Sequence, residues 1–225
     1  MLKPRKRITK KHLKEDKLVT FYVKASAWLE KNTKYIIAGV LIVLLTIAAG
    51  MYFSSSSKKA EAGASVEYDK ALRAYKAQDY QDAILLFSSI VDNYGGTISG
   101  KLSYLYLANS YFKTSDYENA LNNYKKFASK YKKNDMLLSF AMGSIGSSYE
   151  QMEKYQQAAE QYSKTVTKFP DSIQAPHYLF RAARCYSLIG NNKEAQVVYQ
   201  RLIEEYPDSQ EKPKAIIFKE LLETS

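Results

Sequence analysis

Apolar positions are distributed along this chain in three different ways, and each way predicts a different element. Over residues 35–53, YIIAGVLIVLLTIAAGMYF, 19 positions pass without a charge. At about 1.5 Å per residue the run makes a helix of roughly 28 Å, close to the hydrocarbon thickness of a bilayer, and so predicts one transmembrane helix. Tyr35 at one end and Tyr52 with Phe53 at the other place aromatic rings at headgroup level. Upstream, in residues 15–31, Leu18, Phe21, Tyr22, Ala25, Trp28 and Leu29 recur at three- and four-residue spacing, while Lys17, Lys24 and Lys31 repeat every seven. That pattern predicts an amphipathic helix, lying on the inner membrane surface or docking on the cytoplasmic side of another membrane protein. Beyond residue 66 the apolar positions form a motif that returns every 37 or 38 residues.

A cleaved signal peptide and a buried core helix compete for residues 35–53. Both fit poorly: a signal peptide has a short basic lead and about 7 to 15 apolar residues, whereas 34 residues precede this longer run. Between the run and the repeats, residues 54–65 (SSSSKKAEAGAS) are small and polar. They read as a flexible tether or, equally, as the frayed start of the next helix, since alanine and Glu61 tolerate helix well.

The repeating motif is carried by residues in register. Central alanines stand at Ala83, Ala120, Ala158 and Ala195, and a small residue lies twelve positions before each, at Ala71, Ala108, Gly146 and Ala183. Tyr111, Tyr149 and Tyr186 follow the last three of those by three positions, where the first copy has Ala74 beside Tyr75. Phe87, Tyr124, Tyr162 and Tyr199 come four after the central alanines, and two copies close on Pro-Asp-Ser, at Pro170 and Pro207. This pattern of small residue, tyrosine, small residue, aromatic and proline resembles the tetratricopeptide repeat. The period exceeds the usual 34, in the manner of bacterial envelope versions of the repeat. The resemblance implies an all-α chain: an N-terminal transmembrane helix, then an α-solenoid of about four helix hairpins with a C-terminal capping helix. The expected divisions are a basic cytoplasmic tail 1–34, span 35–53, tether 54–65 and repeat domain 66–225. Within that domain the repeats fall at about 66–99, 100–135, 136–172 and 173–209, and 213–222 (PKAIIFKELL) supplies the cap.

Charge sets the expected orientation. Of the net +10, residues 1–34 carry eleven bases against three acids, while residues 54–225 carry 22 bases against 20 acids. A positive flank stays in the cytoplasm, so the repeats are expected outside, in the periplasm if the cell is a double-membraned bacterium. The basic tail reads as a topology signal, or as a surface for anionic lipid or an acidic partner such as ribosomal RNA. A near-neutral repeat body argues against nucleic-acid binding by the folded domain.

Candidate chemistry is sparse. His12 and His177 are the only histidines and Cys185 the only cysteine, so no intrachain disulfide can form and a metal site lacks ligands. No phosphate-cradling, dinucleotide or nucleophile-elbow motif is present. Gly143-Ser144-Ile145-Gly146 reads as helix packing, and Cys185 as a small hydrophobe. The expectation is a non-enzymatic protein without cofactor, metal or small-molecule substrate.

In this fold first helices line the concave side, and the family resemblance places a partner-binding face there. Its candidate residues are Tyr68, Leu72, Tyr75 and Lys76, then Leu102, Leu105, Asn109, Phe112 and Lys113. The third and fourth repeats add Phe140, Ser147, Glu150, Gln151, His177, Phe180, Arg184 and Leu188. Apolar anchors among amides and charges suit an extended or helical peptide, with Phe112 and Phe180 as the anchors to test. Tyr68 and Leu72 stand where the cytosolic chaperone-tail clamp needs Lys and Asn, so C-terminal carboxylate capture by that clamp is not expected.

Tail, span and short external array together resemble the YfgM-like ancillary subunit of the Sec translocon. That resemblance implies an inner-membrane protein associated with SecYEG and a periplasmic prolyl isomerase, meeting secreted clients. An envelope scaffold that recruits cell-wall or outer-membrane assembly factors is the alternative, and an organelle import receptor with its array in the cytosol is a third.

Overall fold

The computed structural model describes residues 17–224, and all secondary structure among them is helical. Residues 1–16, which hold most of the basic tail, His12 and the start of the segment expected at 15, lie outside the described residues. Nine helices follow in order: α1 (Lys17–Lys76), α2 (Tyr80–Tyr94), α3 (Ile98–Lys113), α4 (Tyr117–Lys130), α5 (Asp135–Gln151), α6 (Tyr155–Lys168), α7 (Ala175–Leu188), α8 (Asn192–Glu205) and α9 (Lys212–Glu223). The chain divides into two compact units after Ser56.

The first unit contains the N-terminal part of α1. By length and composition this helix can cross a membrane, and none of residues 35–53 is buried. The amphipathic segment and the apolar run are one helix rather than two. No proline or glycine interrupts Asn32–Lys34, and the Asn32 amide and Thr33 hydroxyl return to the Trp28 and Leu29 carbonyls, each at 2.8 Å, within the helical turn.

The second unit starts at Ser57, and of the two readings of residues 54–65 the flexible tether is corrected in favour of the helical start. Residues 54–65 are helical, and Ala64 is fully buried. The physical reason is Glu61. Its carboxylate accepts the Ile98 amide at 2.6 Å, the Ser99 amide at 3.2 Å and the Ser99 hydroxyl at 2.7 Å, capping the exposed donors of α3. Thr97 adds the local cap by accepting the Gly100 amide at 2.9 Å.

From there four hairpins stack: the end of α1 with α2, α3 with α4, α5 with α6, and α7 with α8. Ala71, Ala83, Ala108, Ala120, Ala158, Ala183 and Ala195 are all fully buried where helices approach. Glycine replaces alanine at Gly146 because a methyl there would stand 2.7 Å from the Tyr162 ring. Gly143 likewise seats the Tyr178 ring of the next repeat. The tyrosines three after the small position join neighbouring cores: Tyr111 packs against the first and second clusters, Tyr149 against the second and third.

Each hairpin turns through one residue in the left-handed region, Gln78 (φ 64°), Ser115 (63°), Glu153 (58°) and Gly190 (75°). The next amide donates back to the carbonyl five residues upstream, as in Asp116 to Tyr111 at 2.9 Å and Asn191 to Tyr186 at 2.9 Å. This closes the first helix on itself at the same position in all four copies. At the C-terminal end α9 packs on α8 and buries Ala215, and its Phe218 stacks on Tyr199 at 6.2 Å.

Candidate functional site

Three successive first helices bring part-exposed aromatic rings to one cup of about 260 Å³. Tyr75 comes from α1, Asn109, Phe112 and Lys113 from α3, and Phe140, Ser144 and Ser147 from α5, with Tyr124 of α4 beneath. Phe140 is 42% exposed. Phe112 is braced edge-on by Tyr117 at 5.2 Å, and Tyr75 by Tyr106 and Tyr80 at 5.3 and 5.6 Å. Tyr124 donates to the Asn109 amide oxygen at 2.6 Å, which fixes that amide at the cup's edge. Burial raises the Tyr75 and Tyr124 hydroxyls above the ordinary phenol value, so both remain donors at neutral pH.

Beside the cup lies an ion-paired cluster. Arg181 meets the Glu150 carboxylate at 2.8 Å and donates to the Ser147 hydroxyl at 2.9 Å, and its guanidinium sits 5.0 Å from the centre of the Tyr162 ring. Tyr162 donates to the same carboxylate at 2.9 Å. Glu150 is thereby held within the protein through one oxygen of its carboxylate.

The other predicted face residues divide by depth. Tyr75, Asn109, Phe112 and Phe140 share the cup. Leu105 (4% exposed) and Phe180 (8%) are core residues, so the face assigned to them is corrected, and Phe180 packs on Tyr199 and Phe218 at 5.7 Å each. Tyr68 and Leu72 are half-buried against the first core, Tyr68 edge-on to Phe87 and Tyr106 at 5.9 Å each. His177 pairs with Glu211 of the cap region at 3.2 Å, and Arg184 is exposed.

Residues that sequence reasoning missed are Tyr106, Ser144 and Arg181. They stand one position after Leu105, Gly143 and Phe180, which are buried. One residue is about 100° of helix, enough to exchange core for surface. The periodicity held the signal, since the inward row is small or apolar in every copy.

Two wider grooves follow the interhelical turns. One of about 650 Å³ runs past Pro170, His177, Tyr206 and Pro207 and carries the acids Asp171, Glu205, Asp208 and Glu211. The other, about 470 Å³, lies between Met136 and Ile173. Among the described residues no group of three or more His, Cys, Asp or Glu could hold a metal ion. Cys185 is wholly buried and its thiol is pushed up to about 12, by burial first and then by Glu150, which leaves it unreactive.

Solved structures share this architecture. A MamA protein matches with a TM-score of 0.59 at 14% identity, over 72% of this chain and 82% of that one. The apo form of RapI matches at 0.60 and 13%, over 72% and 48%. YrrB, described as a TPR protein with an unusual peptide-binding site, matches at 0.51 and 14%, over 68% and 76%. At such identities the likeness is one of fold. No curated protein matches in sequence. The tetratricopeptide repeat-like domain family matches residues 26–219, most of the length, and to that family the chain belongs.

Proposed function

We propose that this is a single-pass membrane protein whose repeats bind segments of other polypeptides on the extracytoplasmic side, serving the Sec translocon as an accessory or chaperone-like subunit. The observation that carries the binding reading is the cup of Tyr75, Phe112 and Phe140, part-exposed rings from three repeats with Asn109 and Lys113 at the edge. Apolar anchors rimmed by a few fixed polar groups are what a peptide-capturing surface needs. The peptide-binding site in the description of YrrB supports the same use of this fold.

The anchor rests on the unburied apolar stretch 35–53 and on the basic flank that precedes it. The family match begins at residue 26, ahead of that stretch, so the apolar helix belongs to the matched region. The translocon role rests on the resemblance of tail, span and short array to the YfgM-like family. Translocon subunits, periplasmic folding factors and secreted clients are the partners, and lipid is met through the span and the basic amphipathic segment. No catalysis, cofactor, metal or nucleic acid enters this reading.

A photocrosslinker at Phe140 in intact membranes tests it. Recovery of translocon subunits or exported clients supports the proposal. Recovery of cell-wall or outer-membrane assembly factors instead moves the function to an envelope scaffold. Protease added to intact spheroplasts should digest the repeats. Protection there, with digestion only after lysis, would reverse the topology.

A further inference from the structure

The turns that join one hairpin to the next share an edge of the second unit. Tyr104 abuts Gly95 of the first such turn, and its ring lies under Lys126 and Lys130 of α4 at 5.9 and 5.6 Å. The Ser139 hydroxyl of α5 donates to Ser172 in the third turn at 2.9 Å, and the Tyr206 hydroxyl of the fourth turn donates to the Pro170 carbonyl of the third at 2.8 Å. Counting 22 residues back from Ala120, Ala158 and Ala195 gives one position on this edge, held by Ile98, Met136 and Ile173. All three aliphatic side chains are turned outwards, Met136 72% exposed, Ile173 86% and Ile98 43%. Met136 and Ile173 line the groove of about 470 Å³ together with Lys168, Phe169 and two acids, Asp135 and Asp171.

Charge follows the same row. Residues 125–133, KKFASKYKK, hold five lysines and no acid, and without them residues 54–225 carry 17 bases against 20 acids. All five are exposed, and none is in an ion pair among the described residues. Lys101 stands three residues after Ile98, and Lys168 five before Ile173. At the fourth turn both properties end together. The aliphatic residue gives way to Gln210, and the bases give way to Glu204, Glu205, Asp208 and Glu211, with Lys212 alone opposing them.

A lysine run alone is a solvated face, and a single exposed aliphatic residue needs no partner. Their joint presence on three turns and joint loss on the fourth select a surface that is anionic outside and apolar just beneath. An anionic bilayer is such a surface: lysines reach its phosphates while aliphatic side chains pass between headgroups. We infer that the edge formed by the first three turns docks on anionic phospholipid, with Met136 and Ile173 as the inserted side chains. An acidic polypeptide would answer the lysines but leave a row of aliphatic residues across three turns uncovered. The inference rests on the reading of residues 35–53 as a span, because Ser57, where the second unit starts, is four residues after Phe53 and the covalent connection then holds the unit at the bilayer.

Cys185 is buried and unreactive, so a cysteine introduced elsewhere takes a bimane label alone. The test uses the full chain in nanodiscs of phosphatidylcholine, with or without about one third phosphatidylglycerol and with doxyl-labelled lipid as quencher. In anionic discs bimane at Met136→Cys should be quenched about twofold or more above bimane at Gln210→Cys. High salt, or the combined Lys130→Gln/Lys132→Gln/Lys133→Gln variant with unchanged helix content, should bring the first down to the second. Equal quenching at the two positions, equal quenching in the two disc compositions, or quenching that survives the triple variant overturns the edge. Oligoglutamate that protects the amides of residues 128–138 from hydrogen exchange when anionic discs do not assigns the lysines to an acidic polypeptide instead. A chain that stays out of discs of either composition defeats the span reading and this one together, whereas one that enters them with Met136→Cys unquenched defeats the edge alone.

Discussion

Glu61 offers the sharpest test of how the repeat unit begins. Its carboxylate takes two first-turn amides and one hydroxyl of α3, at 2.6, 3.2 and 2.7 Å, across 37 and 38 residues of sequence. Loss of a helix cap costs about 0.5–2 kcal/mol, and a charge at a helix N-terminus adds about 0.3–1 kcal/mol. Alanine recovers a few tenths through helix propensity. Glu61→Ala should therefore destabilise residues 57–225 by about 2 kcal/mol, and Glu61→Gln, which keeps one acceptor, by about 1 kcal/mol. In native-state hydrogen exchange the Ile98 and Ser99 amides should open tenfold faster or more.

The dependence on pH separates a charged cap from mere packing. Burial raises the Glu61 pKa, but the Ser99 hydroxyl, the Ile98 and Ser99 amides and Lys133 together outweigh it and hold the carboxyl below its ordinary value. A depressed pKa gives stability that is complete above the unfolded value of about 4.3 and is lost as pH falls through the folded value. The gap between wild type and Glu61→Gln should accordingly be full at pH 7 and close below about pH 4. Equal stability of Glu61→Ala and wild type in urea, or a gap undiminished at pH 3, would refute the cap.

Gly143→Ala should cost about 1 kcal/mol net, because overlap with the buried Tyr178 ring outweighs the helix gained, while Gly96→Ala, with nothing within 4 Å, should change little; thermal unfolding by circular dichroism checks both. Glu153→Gly should raise stability by up to about 1 kcal/mol by relieving a left-handed side-chain residue, and Gly190→Ala should lower it by a similar amount. The double variant Phe112→Ala/Phe140→Ala should lose peptide and partner capture with unchanged helix content, and undiminished pull-down would defeat the groove assignment.

The repeats were legible because four copies present the same small and aromatic residues in register, and Ala83, Ala120, Ala158 and Ala195 are all fully buried. The candidate face was legible only to within one residue, since Leu105 and Phe180 look like anchors by composition and Tyr106 and Arg181 like bystanders. Their roles depend on helix rotation, which a single aromatic position does not report. Residues 54–65 stayed open between two readings for another reason: Ser, Ala and Glu suit coil and helix alike, and the partners that decide between them, Ile98 and Ser99, are far away in sequence. Arg181 was hidden similarly, its partner Glu150 lying 31 residues upstream.

Tyr111 and Tyr149 each fill two cores at once. A tensile load applied across neighbouring hairpins must tear a ring from one side before the hairpins part, so rupture should begin within a hairpin's own turn sooner than at the joint between two. For the same reason a shortened version cut at a repeat boundary would bare half of a tyrosine's contact surface and stick to its own kind.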